Sequence, residues 1–149
     1  MTTAEANALL ATFFPARAPH FYGRFAIGNT RRSMDEGARL ILDGTKTTTS
    51  SLPGDYPDGN IPFVHALSVL EDGLGQARAI VETVRVATLP FGQIPARFAE
   101  LYGEGDRTLD WFRTHMHAWY LARDPQFGGA SPVICEWFQV VRRLEPTSL

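Results

Sequence analysis

The pattern that most narrows the fold lies in residues 64 to 89. Val64 to Leu70 and Gln76 to Leu89 are apolar runs rich in β-branched residues, and Glu71-Asp-Gly-Leu-Gly75 between them is made for a turn. Together they predict a β-hairpin. In the second run Val84 and Val86 alternate with Arg85, as in a strand with one face in water. A last strand is predicted over Val133 to Val141. Such strands must bury a face, and the rest of the chain offers helices to cover it.

A short helix is expected from Thr3 to Phe14, stopped by Pro15, with an irregular connector and an extended aromatic stretch, Phe21 to Ile27, after it. The second helix carries Ser33-Met-Asp-Glu36 as a capping box. Met34, Ala38, Ile41 and Leu42 form its buried face, and Gly44 its left-handed stop. Residues 52 to 60 read as loop. A short helix from Pro95 to Tyr102 and a longer one from about Thr108 to Arg123 follow. On the latter, Leu109, Phe112, Met116 and Trp119 with Tyr120 form the core stripe, which leaves His115 half-buried beside it. Arg113 and His117, four apart, are expected to pair on the surface. The predicted class is α+β, with a small, curved or closed sheet at the core.

The chain's 149 residues suit one domain with a real core. A net charge of -2 leaves no broad basic face, so any nucleic-acid contact must use a local cluster. The single cysteine, Cys135, excludes an internal disulfide and a multi-cysteine metal site, and has no basic neighbour in sequence to activate it. No charged and then apolar leader opens the chain, and no apolar run reaches about 18 residues, so a cytoplasmic location is expected.

Against thirteen arginines there is one lysine, Lys46, within Asp43-Gly-Thr-Lys-Thr-Thr-Thr-Ser-Ser51. Either a compositional bias left it there, or the position needs a compact ammonium that can give up its proton, which guanidinium cannot. It follows a helix end, where terminal carbonyls favour a cation. In a regular strand Lys46, Thr48 and Ser50 would share one face, and Thr47, Thr49 and Ser51 the other. A lysine beside a hydroxyl can activate a nucleophile, while a threonine-rich edge strand with a solvated lysine explains the same residues.

A second candidate is Gly103-Glu-Gly-Asp106, whose glycines allow close approach to a ligand and leave Glu104 unshielded. Asp106 reads as structural near a helix start, with Thr108 competing for the cap. His115 and His117, two apart, cannot chelate one metal from a regular helix. Arg31-Arg32 and Arg142-Arg143 suit phosphate or plain solvation.

In this order and spacing the chain resembles the ASCH family, domains related to the PUA fold and associated with RNA, in its stand-alone bacterial branch. The matching residues are Phe25-Ala-Ile-Gly28-Asn-Thr30, Leu42-Asp-Gly44-Thr-Lys46-Thr-Thr-Thr49-Ser-Ser51, Pro90-Phe91 and Phe98-Ala99. Gly103-Glu104-Gly105-Asp106, Thr108-Leu109, Trp111 with His115, and Val133-Ile-Cys135-Glu136-Trp-Phe138 continue the match. The resemblance implies a PUA-like β-barrel of about six strands with flanking helices. It also implies a cleft where the glycine-lysine motif meets the acidic turn. The domain would span residues 25–143, with an N-terminal helix and connector, 1–24, packed on it and a tail, 144–149.

Family members include enzymes that cut single-stranded RNA with a divalent metal, and an amidohydrolase that deacetylates acetylcytidine through a lysine, a threonine three residues later and a glutamate. Lys46 and Thr49 match the first two, which requires a bulge or turn in the run. Two positions depart from the family. Tyr102 stands where a glutamate usually precedes the Gly-Glu-Gly turn, and Val64-His-Ala66 where Val-Gly-Asp usually opens a strand.

The reading that follows is an RNA- or nucleotide-binding hydrolase that cleaves single-stranded RNA. Its catalytic candidates are Lys46, Thr49, Glu104 and His115. Gly28, Asn29, Gly44, Ser51 and Trp111 are its ligand contacts, and Glu104 with Asp106 the candidate ligands for Mn²⁺ or Mg²⁺. The alternatives are deacylation of a modified cytidine nucleoside, with Thr49 as nucleophile and Lys46 as base, and a non-catalytic RNA-binding or ligand-sensing module. The expected partners are single-stranded RNA or a nucleotide or nucleoside, with no membrane, and a homodimer is left open.

Overall fold

A computed structural model describes residues 1–146. The last three positions of the expected tail lie outside the described residues. Five strands form one mixed sheet: β1 (Phe21–Phe25), β2 (Thr48–Ser51), β3 (Leu67–Glu71), β4 (Ala77–Pro90) and β5 (Pro132–Arg143), in the order β1-β3-β4-β5-β2. The hairpin is β3 and β4, paired antiparallel, whereas β1 runs parallel to β3. The expected six-stranded barrel is not what forms. Strands β1 and β2 each have one hydrogen-bonded neighbour and stand at opposite edges of an open sheet.

Four helices cover the sheet: α1 (Thr3–Phe13), α2 (Arg31–Leu42), α3 (Ala96–Tyr102) and α4 (Leu109–Leu121). Alternation along β3 and β4 sends Val69 and Ile80 to one face, and Leu70, Ala79 and Val81 to the other. Helix α1 buries Ala6 and Leu10 against the first set, and α2 buries Ala38 and Ile41 against the second, with Phe138. Full burial of an aliphatic side chain such as Leu10 contributes roughly 1.5–3 kcal/mol. A third cluster joins Phe98 of α3 and Phe112 and Tyr120 of α4 to Val133 and Cys135 of β5. Where β4 meets β5 the register shifts at Ile80/Val81 and again at Thr83/Arg85, and bulges of this kind bend a strand and raise its twist. The expected alternation therefore fails locally: Val84 and Arg85 are both exposed.

The caps also differ from expectation. Helix α2 starts at Arg31, and its reciprocal cap is Thr30 with Ser33, not Ser33 with Glu36. The Thr30 hydroxyl accepts from the Ser33 amide at 3.1 Å and the Ser33 hydroxyl from the Thr30 amide at 2.9 Å, while Glu36 is drawn to Arg39. On α4, Phe112, Met116 and Tyr120 form the buried stripe. Trp119, expected in the core, is 37% exposed, because it lies about 100° around the helix from Tyr120. His115 is exposed rather than half-buried. Arg113 does not pair with His117: it donates to the Gly92 carbonyl, and His117 lies against Phe91 and Phe127.

Candidate functional site

Between the end of α2 and β2 the backbone is held at both sides. The Lys46 amide donates to the Leu40 carbonyl at 3.0 Å and the Thr47 amide to the Leu101 carbonyl at 2.8 Å. This ties the segment to the ends of two helices and turns the lysine inward. Its side chain is 0% exposed. Nζ donates to Glu104 Oε2 at 2.7 Å and to the Tyr102 carbonyl at 3.2 Å, and sits 3.4 Å from the centroid of the Tyr102 ring. The cation thus meets a helix C-terminus, but that of α3 rather than of α2, the helix it follows. Burial pushes the ammonium down to about 8, the Glu104 carboxylate opposing that shift.

The acidic turn is seated against this segment. Gly103 and Gly105 have φ of +73° and +62°, where a side chain is disfavoured. A Cβ on Gly103 would lie 2.6 Å from the Thr45 carbonyl oxygen, and one on Gly105 2.1 Å from the Trp111 indole. Both backbone positions are therefore pinned, and Glu104 between them is 23% exposed at the side chain. Arg107 also holds a left-handed φ of +66°, a conformation that costs free energy in a non-glycine residue.

A cleft of about 820 Å³ opens in front of this turn, within the usual range for small-molecule sites. Glu104, Tyr102 and Thr49 line it, with Gly28 and Asn29 of the β1-α2 loop opposite and Trp111, His115 and Trp119 along α4. The Trp111 and His115 rings stack at 4.5 Å, 11° from parallel. Lys46 does not line the cleft; Tyr102 and Glu104 stand between it and the opening. Gly44 is also outside the lining, at φ +83° beyond α2, and Ser51 accepts a hydrogen bond from Tyr56.

Ser50 lines the cleft instead, bonded to the Tyr120 hydroxyl at 2.5 Å and the Tyr102 hydroxyl at 3.2 Å. Burial holds both phenols well above their ordinary range, so they stay neutral hydrogen-bonding groups. Strand β2 pairs with β5 in unbroken register; of the bulge or turn expected in the run, the turn forms, over residues 43–45 ahead of the strand. Lys46 lies outside the strand, so strand alternation does not govern where it points.

Asp106 turns to Thr108, accepting from its amide at 3.0 Å and its hydroxyl at 2.6 Å. Thr108 is the cap of α4. Glu104 already faces an ammonium, and among the described residues no three His, Cys, Asp or Glu side chains gather. This donor set does not fit a divalent cation, which gathers several oxygen ligands. Cys135 is buried and its thiol pushed up to about 12, which suits packing rather than reactivity.

Sequence reasoning missed Ser50, Tyr120 and Trp119 at the site. Strand alternation put Ser50 on one face with Thr48, but only the fold shows that this face turns inward and brings the two tyrosines to it. No described helix is long and apolar enough to cross a membrane.

Comparison with known proteins matches residues 23–142 to the ASCH domain family model. A crystal structure of an ASCH domain from Lactobacillus crispatus superposes with a TM-score of 0.80 at 22% identity, covering 93% of this chain and 96% of that one. A crystal structure of a protein from Enterococcus faecalis gives a TM-score of 0.77 at 20% identity, covering 97% of each chain. At these identities the likeness is one of fold. No curated protein matches the chain.

Proposed function

The chain belongs to the ASCH domain family, whose fold is PUA-like, and from that premise we propose that its cleft binds single-stranded RNA or a nucleotide and hydrolyses it. The observation that carries this reading is the composition of the cleft wall. A carboxylate held in a tightly packed turn by a buried ammonium shares the cleft with the exposed rings of His115 and Trp119 and the half-buried ring of Trp111. Aromatic faces take bases whatever their sequence, and a carboxylate in reach of the backbone can take a proton from an attacking hydroxyl.

In this mechanism Glu104 accepts the proton of the ribose 2′-hydroxyl as its oxygen bonds to phosphorus. The bond from phosphorus to the 5′-oxygen breaks as His115 gives the leaving oxygen a proton, and water then opens the resulting 2′,3′-cyclic phosphate, giving its proton to His115 while Glu104 returns one to the 2′-oxygen. Thr49 and Ser50 offer hydroxyl contacts to the ligand, and no step is routed through a metal.

The test is incubation of wild type and Glu104→Gln with end-labelled single-stranded RNA in EDTA, Mg²⁺ or Mn²⁺, resolved on a denaturing gel. Cleavage by wild type that falls at least about 100-fold in the variant supports the reading. Intact RNA in every lane overturns hydrolysis, and binding without turnover then points to a recognition module. Release of acetate from acetylcytidine would move the substrate to an acylated nucleoside.

A further inference from the structure

The sole lysine cannot touch a ligand in the arrangement described. Its ammonium has three donors, and the three neighbours around it are the Tyr102 carbonyl, the face of the Tyr102 ring and the Glu104 carboxylate. The first two belong to a buried residue at the end of α3 and are fixed by the core. Glu104 alone is a partly exposed side chain that also lines the cleft. Its backbone is pinned at Gly103 and Gly105, so its freedom is in its own side-chain torsions.

We propose that Glu104 is a displaceable cover over Lys46, and that a phosphate-type oxyanion of the ligand takes the carboxylate's place on the ammonium. This rests on reading the cleft as the ligand site. The exchange must be anion for anion, because an ammonium buried without a counter-charge is costly, and a neutral group arriving from the cleft would leave it so. Oxyanions of phosphate bond strongly to ammonium donors. The released carboxylate has a receiver in the same cleft. Arg107 lines it too: its Nε donates to the Glu100 carbonyl, and among the described residues its other guanidinium N–H groups make no hydrogen bond. Its left-handed backbone conformation is of the kind retained where position matters. Displaced in this way, Glu104 stays beside the bound phosphate, paired with Arg107 in place of Lys46.

The experiment titrates AMP, adenosine and inorganic phosphate into wild type and Glu104→Gln at pH 6.0 by calorimetry. The ¹⁵Nζ resonance of the single lysine is followed in parallel. Removing the covering charge is expected to raise affinity for AMP and for inorganic phosphate about tenfold, to leave adenosine unchanged, and to move the lysine resonance when phosphate binds. Equal or weaker AMP and phosphate binding by the folded variant overturns the proposal, as does a gain shared by adenosine. If Glu104→Gln does not fold, Glu104→Asp shortens the cover by one methylene and is expected to give a smaller gain of the same sign; no gain there overturns it equally. The two readings fail separately. Nucleotide binding with no variant gain removes the cover alone, whereas a phosphate gain without AMP or adenosine binding keeps it and removes the nucleotide.

Discussion

Two regions of this molecule bury charge, and they do so in opposite senses. In the β3-β4 hairpin the buried ends are carboxylates, Glu71 and Asp72, and the more exposed ends are Arg24 and Arg78, at 3.1 and 3.5 Å. Long arginines can cover an acid while keeping contact with water. Asp72 also accepts the Leu74 and Gln76 amides, at 2.9 and 3.0 Å, so its charge is spent on holding a turn. In the cleft the buried end is the ammonium of Lys46 and the exposed end is the carboxylate of Glu104. The first arrangement hides its acids from ligands; the second presents one to them. Which partner is left facing solvent separates a structural ion pair from one that can serve a site.

Removing the exposed partner in the cleft should cost most. Glu104→Ala strands a buried ammonium and is expected to lose about 3 kcal/mol by urea unfolding. In the hairpin the order reverses, since the buried acid is the one that matters: Asp72→Ala should cost about 2 kcal/mol through the two amides it leaves unpaired, with nucleotide binding unchanged. Lys46→Met should cost only about 1 kcal/mol near neutral pH, because Glu104 can turn to water. A loss larger than that of Glu104→Ala would break the comparison.

The same variant sharpens it through pH. Lys46 stands at about 8 when folded against an ordinary 10.5, so between those values the unfolded chain binds more protons. Stability from this group therefore rises with pH across about 8 to 10.5 and is lost as pH falls through about 8. Wild type should show this rise in chemical unfolding, and Lys46→Met should not. Like Glu104→Ala, Arg24→Ala leaves a largely buried partner, here Glu71, unpaired. It should cost about 1 kcal/mol, less than Glu104→Ala because Glu71 keeps some contact with water while Lys46 has none.

The strands of the hairpin and β5 were legible because period and turn residues are local signals. Gly44 was legible as a helix stop, and it does adopt the left-handed φ its place demanded. The α2 cap moved three residues because Thr30 and Ser33 satisfy each other, a choice that adjacent capping residues do not settle alone. Sheet closure was not legible: the parallel pairing of β1 with β3 joins segments more than forty residues apart. At the site, the lysine and the Gly-Glu-Gly turn stand out as text, and the fold brings them to 2.7 Å. Their orientation does not stand out. That Lys46 lies behind the wall, and that Tyr102 supplies it with a ring and a carbonyl, follows from the docking of α3 on the 45–47 segment. His115 and Trp119 were misplaced because a helical stripe one position too wide merges a core face with a cleft face.

The most direct measurement uses the three tryptophans. Trp111 and Trp119 line the cleft, while Trp137 packs against Phe98 beneath the Arg85 guanidinium, 4.4 Å above its ring. Each gives one indole N–H signal in a ¹H–¹⁵N correlation spectrum. Titration with AMP should shift the Trp111 and Trp119 signals together and leave Trp137 in place. Shifts confined to Trp137, or three unmoved signals at millimolar AMP, would contradict the assignment of this cleft as the ligand site.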